Sequence, residues 1–281
     1  MEEIDLQKIF AAKLTDIEFD KLSKFIYTRY GIKMPPAKRI MLQSRLQKRL
    51  RALKIYTFKE YVDFVFSKDG QEEVVHMMDV VSTNKTDFYR EATHFDYLTN
   101  EVLSKIYKEN KFVKLWSAGC SSGQEVYTLA IVLSEFASKN PGFDFSIFGT
   151  DLSTIVLKKA FDAVYPEEAV SMIPIDIKRK YLMKSKDKSK KLVKVNANLR
   201  KKTKYQRLNF MDDHYAVNEK FDIIFCRNVL IYFDRETQEK VINKLCNNLK
   251  PGGYFFLGHS ESITNIEAPL KQVKPTIYIR E

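Results

Sequence analysis

Glycine is scarce in this chain, with nine in 281 residues, and the spacing of those nine excludes two nucleotide sites. No Gly-x-Gly-x-x-Gly occurs, so the pyrophosphate turn of a nicotinamide enzyme is missing. No Gly-Lys-Ser/Thr occurs either, which excludes a P-loop. Cysteine is scarcer still. Cys120, Cys226 and Cys246 are odd in number and far apart, which gives neither a disulfide framework nor a thiolate zinc site. The histidines, at 76, 94, 214 and 259, are equally scattered, and no metal is expected. No apolar run approaches the ~20 residues needed to span a bilayer. The opening Met1-Glu2-Glu3-Ile4-Asp5 lacks the basic-then-apolar form of a signal peptide, and the reducing cytoplasm is the expected compartment.

Acid is missing from two stretches. Residues 178–207 hold fourteen Lys/Arg against the single acid Asp187, a surplus of thirteen that exceeds the +11 of the whole chain. Lys38 to Lys54 holds seven basic residues and no acid. Such stretches either face polyanionic partners, nucleic acid or an acidic protein surface, or are solvated lysine. The remaining composition, 44% hydrophobic and 30% charged, is ordinary for a soluble chain long enough for one large domain or two smaller ones.

The first part of the chain reads as helices. Thr15-Asp16-Ile17-Glu18 is a capping box, followed by Phe19, Leu22, Phe25 and Ile26 at helical spacing, with Gly31 as the stop. Pro35-Pro36 opens a second helix running to Lys54, with Leu42, Leu46, Leu50 and Leu53 on one face. Lys38, Arg45 and Arg49 fall along the edge of that face, a basic ridge suited to an acidic helix or to packing on the second domain. Tyr56 to Val81 predicts two more short helices.

From Ser82 the texture changes to alternating strands and helices. Strands are predicted at Lys111–Ala118, at Phe143–Gly149 leading to Asp151, and at Phe221–Cys226. Leu249–Gly253 reads as a tight turn into Tyr254–Leu257, and Thr276–Arg280 is β-prone. Helices are predicted at Glu125–Ser138 and after Asp234. The pattern implies a doubly wound, mainly parallel sheet that binds ligands at the carboxyl ends of its strands. Residues 168–207 interrupt the rhythm as a basic insert.

Four segments converge at that edge. Leu115–Tyr127 is a strand end, a small-residue turn with Gly119 and Gly123, and a helix with Glu125 in its first turn. Such a turn suits a ligand bearing a positive group, such as the amino acid end of S-adenosylmethionine. Asp151 ends the second strand, either as a ribose ligand or as a helix cap. Cys226-Arg227-Asn228 is a polar trio fit for an adenine edge or a cofactor carboxylate. Ser82–Glu91, dense in hydrogen-bonding side chains, lies at the domain junction, where clefts form.

Together these segments resemble the CheR-type chemotaxis receptor methyltransferases over nearly the whole chain. Thr83–Glu91 is similar to the family's Thr-Asn-x-Thr-x-Phe-Phe-Arg-Glu signature, and Ser117–Glu125 to its cofactor loop. Phe221–Phe233 resembles its fourth-strand motif almost letter for letter, and Gly258-His259-Ser260-Glu261 its Gly-His-Ser-Glu. The resemblance implies an α/β, Rossmann-like S-adenosylmethionine methyltransferase sheet at residues 82–281 with a small inserted β-subdomain at about 168–207. An all-α N-terminal domain at 1–81 would precede it and recognise the receptor. It implies S-adenosylmethionine held by Asn84, Thr86, Arg90, Glu125, Asp151, Asn209, Phe210, Arg227 and Asn228. It also implies methylation of glutamate side chains on the cytoplasmic helices of transmembrane chemoreceptors, with S-adenosylhomocysteine as product. Lys38, Arg45 and Arg49 would contact those helices. The chain would act as a monomer, outside the membrane and without nucleic acid.

This chemistry explains the lack of a nucleophilic triad. A glutamate of pKa about 4.3 is already an anion at neutral pH and attacks the sulfonium methyl without a general base. Positioning and exclusion of water matter more than proton transfer. Arg90 is assigned to the substrate carboxylate and Tyr232 to the vicinity of the methyl; His259 is read as structural. In some family members a glycine-containing loop of the β-subdomain docks the receptor's C-terminal tether. Here residues 178–207 contain no glycine, and Ala163-Val164 stands where glycine is expected before Tyr165, so tether-independent action is expected. Two other readings are weighed. A nucleic-acid methyltransferase would suit the basic insert, but no Asp/Asn-Pro-Pro-Tyr or Pro-Cys occurs at the fourth strand. A catalytically silent cofactor-binding module is opposed by the complete set of Arg90, Glu125, Asp151 and Asn228.

Overall fold

Residues leading to the domain junction form α1 (Leu6–Ala11), α2 (Asp16–Tyr30), α3 (Arg39–Leu53), α4 (Phe58–Val65) and α5 (Gln71–Val81). The computed structural model describes residues 6–187 and 189–281, so the acidic opening Met1–Asp5 and Lys188 of the basic run lie outside the described residues. Thr15 caps α2 through the reciprocal bonds with Glu18, and Gly31 ends it in the left-handed region, at φ 69°. Thr57 and Glu60 repeat the box at α4. Leu42, Leu46 and Leu50 are buried against Phe19, Leu22, Ile26 and Met77 in a separate helical core. Leu53 reaches only its margin.

The second part begins with α6 (Thr93–Tyr97) and α7 (Leu103–Glu109), joined by a wide helical turn. There follow β1 (Phe112–Ala118), α8 (Gln124–Lys139), β2 (Asp144–Asp151) and α9 (Thr154–Asp162). The insert contains β3 (Val164–Pro166), α10 (Ile175–Tyr181), β4 (Leu182–Lys184), β5 (Leu192–Val195) and α11 (Ala197–Arg200). The chain then completes its sheet with β6 (Thr203–Arg207), β7 (Phe221–Cys226), α12 (Arg235–Asn248), β8 (Leu249–Leu257), β9 (Leu270–Lys274) and β10 (Ile277–Arg280). The sheet order is β6-β2-β1-β7-β8-β10-β9. The first five are parallel neighbours, and β10 and β9 close the edge antiparallel. Strand β7 is buried at every residue, as a central parallel strand between two helical layers must be. Each face of the sheet carries its own core, one around Phe225, Phe256 and Ile131, the other around Trp116, Ile224 and Leu245.

Three details differ from the sequence expectation. Leu249–Gly253 is no free turn: Leu249 already pairs with Phe221, and the register shifts before Tyr254 joins Ile223. The glycines there form a bulge inside β8, with Gly252 at φ 73°. The small sheet, ordered β3-β5-β4, starts at Val164, earlier than residue 168, whereas Thr203–Arg207 belongs to the main sheet as its edge. That edge strand and β9 are half exposed and polar, so neither carries the apolar alternation that reveals a strand. The insert's charge is also partly met: Lys180 pairs with Glu135 at 2.6 Å and Lys202 with Asp144 at 2.5 Å outside it, and Lys184 with Glu167 at 3.3 Å within it.

The two parts are joined by polar contacts, of which the one between Asp79 and Ser153 is buried. Asp79 of α5 accepts from Ser153 Oγ at 2.7 Å and Thr154 Oγ1 at 2.8 Å at the start of α9. Arg45 donates to the carbonyls of Val81 and Ser82 and to Thr83 Oγ1, at the junction itself. The N–H of Lys33 donates to the carbonyl of Tyr232 at 3.1 Å. The helical part is thereby seated over the carboxyl ends of the strands, where it closes a cleft.

Candidate functional site

The cleft is a cavity of about 340 Å³, within the range of small-ligand pockets. Its floor is the loop after β1. Gly119 stands at φ 85°, and both its N–H and that of Cys120 donate to the carbonyl of Thr150 at 2.8 Å. A Cβ at Gly119 would lie 2.3 Å from Val229 Cγ2, so only glycine fits there. Gly123, at φ 90°, begins α8 against Ala160. Glu125 follows in the first turn, its Oε1 accepting from Ser117 Oγ at 2.7 Å.

Asp151 faces Glu125 across this loop. Its carboxylate accepts from the N–H of Ser121 at 2.8 Å and of Ser153 at 3.0 Å. Ser153, rather than Asp151, caps α9, which removes the helix-cap reading and leaves Asp151 lining the cavity. Burial pushes its carboxyl above the usual range, against the pull of these backbone N–H groups.

Arg227, just past β7, is the electrostatic centre. Its side chain is 1% exposed and lies over the rings of Phe95 and Phe225. Nη2 donates to the carbonyl of Arg90 at 2.5 Å and lies 3.4 Å from Glu91, while Nε lies 3.5 Å from Glu125. Nε and Nη1 have no hydrogen-bond partner. Among the described residues the charges that face this buried guanidinium are the carboxylates of Glu91 and Glu125, and the residue as a whole borders the cavity. Burial pushes the Glu91 carboxyl up, but Arg227 and the Asn228 amide more than offset it and leave it below the ordinary range. For Glu125 burial prevails over Arg227 and Ser117, and its carboxyl is raised.

The fourth wall is Asn84–Glu91. Tyr89 and Glu91, at φ 54° and 57°, are both left-handed without being glycine, and Arg90 sits between them. Ser121 and Asn228, at φ 49° and 58°, share that conformation at the same cleft. Backbone strain of this kind persists where the surroundings over-determine it and gathers at ligand clamps. Arg90 donates to the carbonyl of Lys85 at 3.1 Å and edges the cavity. Asn84, Thr86, Phe210, Asn228 and Tyr232 line it too. Asn209 also lines it, although its amide is committed to the carbonyl of Arg29 at 2.8 Å and bridges the two parts.

The basic ridge of α3 does not survive as a unit. Lys38 lines the cavity. Arg49 instead turns inward and grips Glu73 with Nε at 2.9 Å and Nη2 at 2.6 Å, while Tyr61 donates to the same carboxylate. Glu73 is 4% exposed, so its charge needs that fork. Arg45 is occupied at the junction. Helical spacing could show that the three share an edge, but not which carboxylate or carbonyl would take each one. Conversely, Tyr30, Ile32, Met34 and Met41 of the helical part line the cleft, and no local pattern signals it.

Behind Glu91 lie His94 and His259, with ring centroids 4.7 Å apart. His259 meets Thr93 Oγ1 at 3.2 Å and does not line the cavity, in keeping with a structural part. Burial, helped by the charges of Arg227 and His259, lowers the His94 pKa from 6.5 to about 4. Between these values the unfolded chain binds a proton that the folded chain refuses, so stability falls as pH drops through the window, by about 3 kcal/mol in all. His94→Gln is expected to lose that share of the acid slope in denaturant titrations from pH 7 to 4. Identical slopes in the two proteins would refute the assignment.

Comparison with known proteins gives a consistent result. The family model described as CheR methyltransferase, SAM binding domain, matches residues 84–279, and the CheR methyltransferase all-alpha domain matches residues 17–82. A chemotaxis protein methyltransferase of Borreliella burgdorferi is 36% identical, over 94% of this chain and 94% of its own. The Escherichia coli protein of the same description is 33% identical over 97% of this chain and 94% of its own. That of Salmonella typhimurium is 34% identical over 97% and 93%.

Proposed function

The chain belongs to the CheR methyltransferase family, with an S-adenosylmethionine-binding domain, and from that membership we propose its substrate and the roles of its residues. The acceptor is the side-chain carboxylate of glutamates on the cytoplasmic helices of chemoreceptors, and the product is a γ-methyl ester. The observation that carries this reading is that Arg90 and Tyr232 line one cavity together with Glu125, Asp151 and Arg227. Among the described residues lining that cavity there is no histidine or cysteine, which suits an acceptor that arrives as an anion.

S-adenosylmethionine supplies an electrophilic methyl group on a sulfonium. Arg227 and the loop of Gly119 to Gly123 take its amino acid end, with Glu125 facing the ammonium, and Asp151 receives the ribose hydroxyls. Asn84, Thr86, Asn209, Phe210 and Asn228 complete that side. Arg90 holds the incoming carboxylate through its planar fork, with Tyr232 beside the reacting carbon. Ile32, Met34 and Met41 exclude water over the reacting atoms. Lys38, at the cleft, draws in the acidic substrate helix, while Arg45 and Arg49 act only indirectly, by holding the domain junction and the helical core behind it. The helical part is thus the receptor-recognising part, acting from the cytoplasm in a monomer. We further propose that no receptor tether is needed. The support is the missing glycine: residues 178–207 contain none, and Ala163, fully buried, brings a Cβ to the stretch before Tyr165 where a glycine is expected.

The test uses methyl-labelled S-adenosylmethionine and receptor-bearing membranes, with full-length receptors and receptors cut short at the C-terminus. Mild alkali should release the label as volatile methanol, at equal initial rates from both substrates. Label stable to alkali would reject the ester, and a rate that collapses on truncation would reject tether independence. In the same assay Arg90→Ala should cut kcat about 10²-fold, while the affinity for S-adenosylhomocysteine changes far less. Equal losses would confine Arg90 to the cofactor.

A further inference from the structure

Glu261 lies behind the cleft and does not line it, yet its carboxylate controls what does. It is 6% exposed. Oε2 accepts from the N–H of Gly258 and of Asn228, each at 2.8 Å, and Oε1 accepts from the N–H of Leu230, also at 2.8 Å. One buried carboxylate therefore ties together the exits of two neighbouring strands, β7 and β8. Burial pushes this carboxyl up, and the N–H groups of Gly258, Asn228, Leu230 and Ile231 pull against it.

The turn held in this way takes a conformation that few residues adopt. Asn228 is left-handed at φ 58°. Gly258 presses on it so closely that a Cβ would lie 2.5 Å from Asn228 Nδ2 and 2.9 Å from its backbone nitrogen. The same turn carries Arg227 and Asn228 at one end and Tyr232 at the other, all on the cavity wall. A short stretch thus presents a cofactor-facing group and a substrate-facing group, and its geometry is fixed by hydrogen bonds to a charged acceptor, the stronger kind.

We propose that Glu261 is the positioning residue of this site, fixing the Asn228–Tyr232 turn so that cofactor and acceptor carboxylate are aligned together. The inference rests on the methyl-transfer reading above only in its kinetic part; its binding part stands without it. A glutamine at 261 keeps the size but sets an NH₂ group against at least one of the three N–H donors. An aspartate keeps the charge but is one methylene too short to span both strand exits.

The test compares Glu261→Gln, Glu261→Asp and Gly258→Ala with Leu245→Ala, a core change in α12 that removes no hydrogen bond to the turn. S-adenosylhomocysteine binding is measured by calorimetry and methyl transfer by the ester assay, all well below the melting temperature of every variant. Glu261→Gln is expected to weaken S-adenosylhomocysteine binding about tenfold, the equivalent of one charged hydrogen bond, and to lower kcat about 10²-fold. Gly258→Ala should move both in the same direction, and Leu245→Ala should move neither. Glu261→Asp should fall between wild type and Glu261→Gln. Wild-type affinity and kcat in Glu261→Gln would overturn the proposal, as would losses no greater than those of Leu245→Ala. If Glu261→Gln does not fold, the aspartate and alanine variants decide by the same criteria. A wild-type protein that methylates no carboxylate would defeat the substrate reading, while the calorimetric comparison would still decide the part played by Glu261.

Discussion

Arg227→Met should lower the unfolding free energy at pH 7 by about 3–5 kcal/mol, because it leaves the largely buried carboxylates of Glu91 and Glu125 without their cation. Methionine replaces the volume of the guanidinium over Phe95 and Phe225 but not its charge, so Glu91 and Glu125 keep their desolvation penalty without their cation. The loss should depend on pH with a definite sign. Without Arg227 the Glu125 carboxyl rises further above its unfolded value, and the Glu91 carboxyl rises from its lowered position. The folded variant then binds protons that the unfolded chain releases, and its stability falls as pH rises through those raised values. The deficit is therefore largest near pH 7 and shrinks toward pH 4. Denaturant titrations of both proteins at pH 7 and pH 5 measure it. Adding Glu125→Gln to Arg227→Met should restore part of the loss, since one of the two stranded charges disappears. A deficit below about 1 kcal/mol, or one that grows toward acid pH, would mean that the guanidinium is not the counter-charge of this site.

The second large effect is expected at Gly119. Gly119→Ala places a Cβ where Val229 Cγ2 already stands, 2.3 Å away, and forces alanine to φ 85°. The left-handed conformation alone costs about 1–2 kcal/mol. Relief of the clash must shift the loop whose Cys120 and Ser121 N–H groups reach Thr150 and Asp151. A displacement of that order at a ligand-holding loop should weaken S-adenosylhomocysteine binding about 10²-fold. Gly119→Ala combined with Val229→Ala removes the clash and keeps the backbone penalty, so it should recover part of the affinity but not all. Binding within twofold of wild type in the single variant would show that the loop tolerates the change and does not cradle the ligand as described.

Much of the site was legible because several of its parts are local. Gly119, Gly123 and Glu125 fall within one strand-to-helix turn, and the capping contact of Thr15 with Glu18 spans three residues, whereas the cap of α9 falls on Ser153 and not on Asp151. Strand β7 announced itself by an unbroken apolar run, which only a central strand can bury. Strands β6 and β9 carry no such signal, because they are edges whose polar faces meet water and so follow no apolar period. The bulge in β8 was read as a turn because Pro251-Gly252-Gly253 has the same composition in either setting.

The sequence by itself determined the fold class, the cofactor loop and the four segments that gather at one sheet edge, because caps, glycine conformations and burial periods are written within a few residues. Only the tertiary structure decided which charges meet. Arg227 reaches Arg90 across 137 residues, Asn209 reaches Arg29 across 180, and Arg49 turns from the surface to Glu73. A charged side chain has several possible partners of equal chemistry. Which one it takes depends on the depth at which packing holds it and on which uncompensated group lies within reach there, and neither quantity exists until the sheet and its helices have assembled.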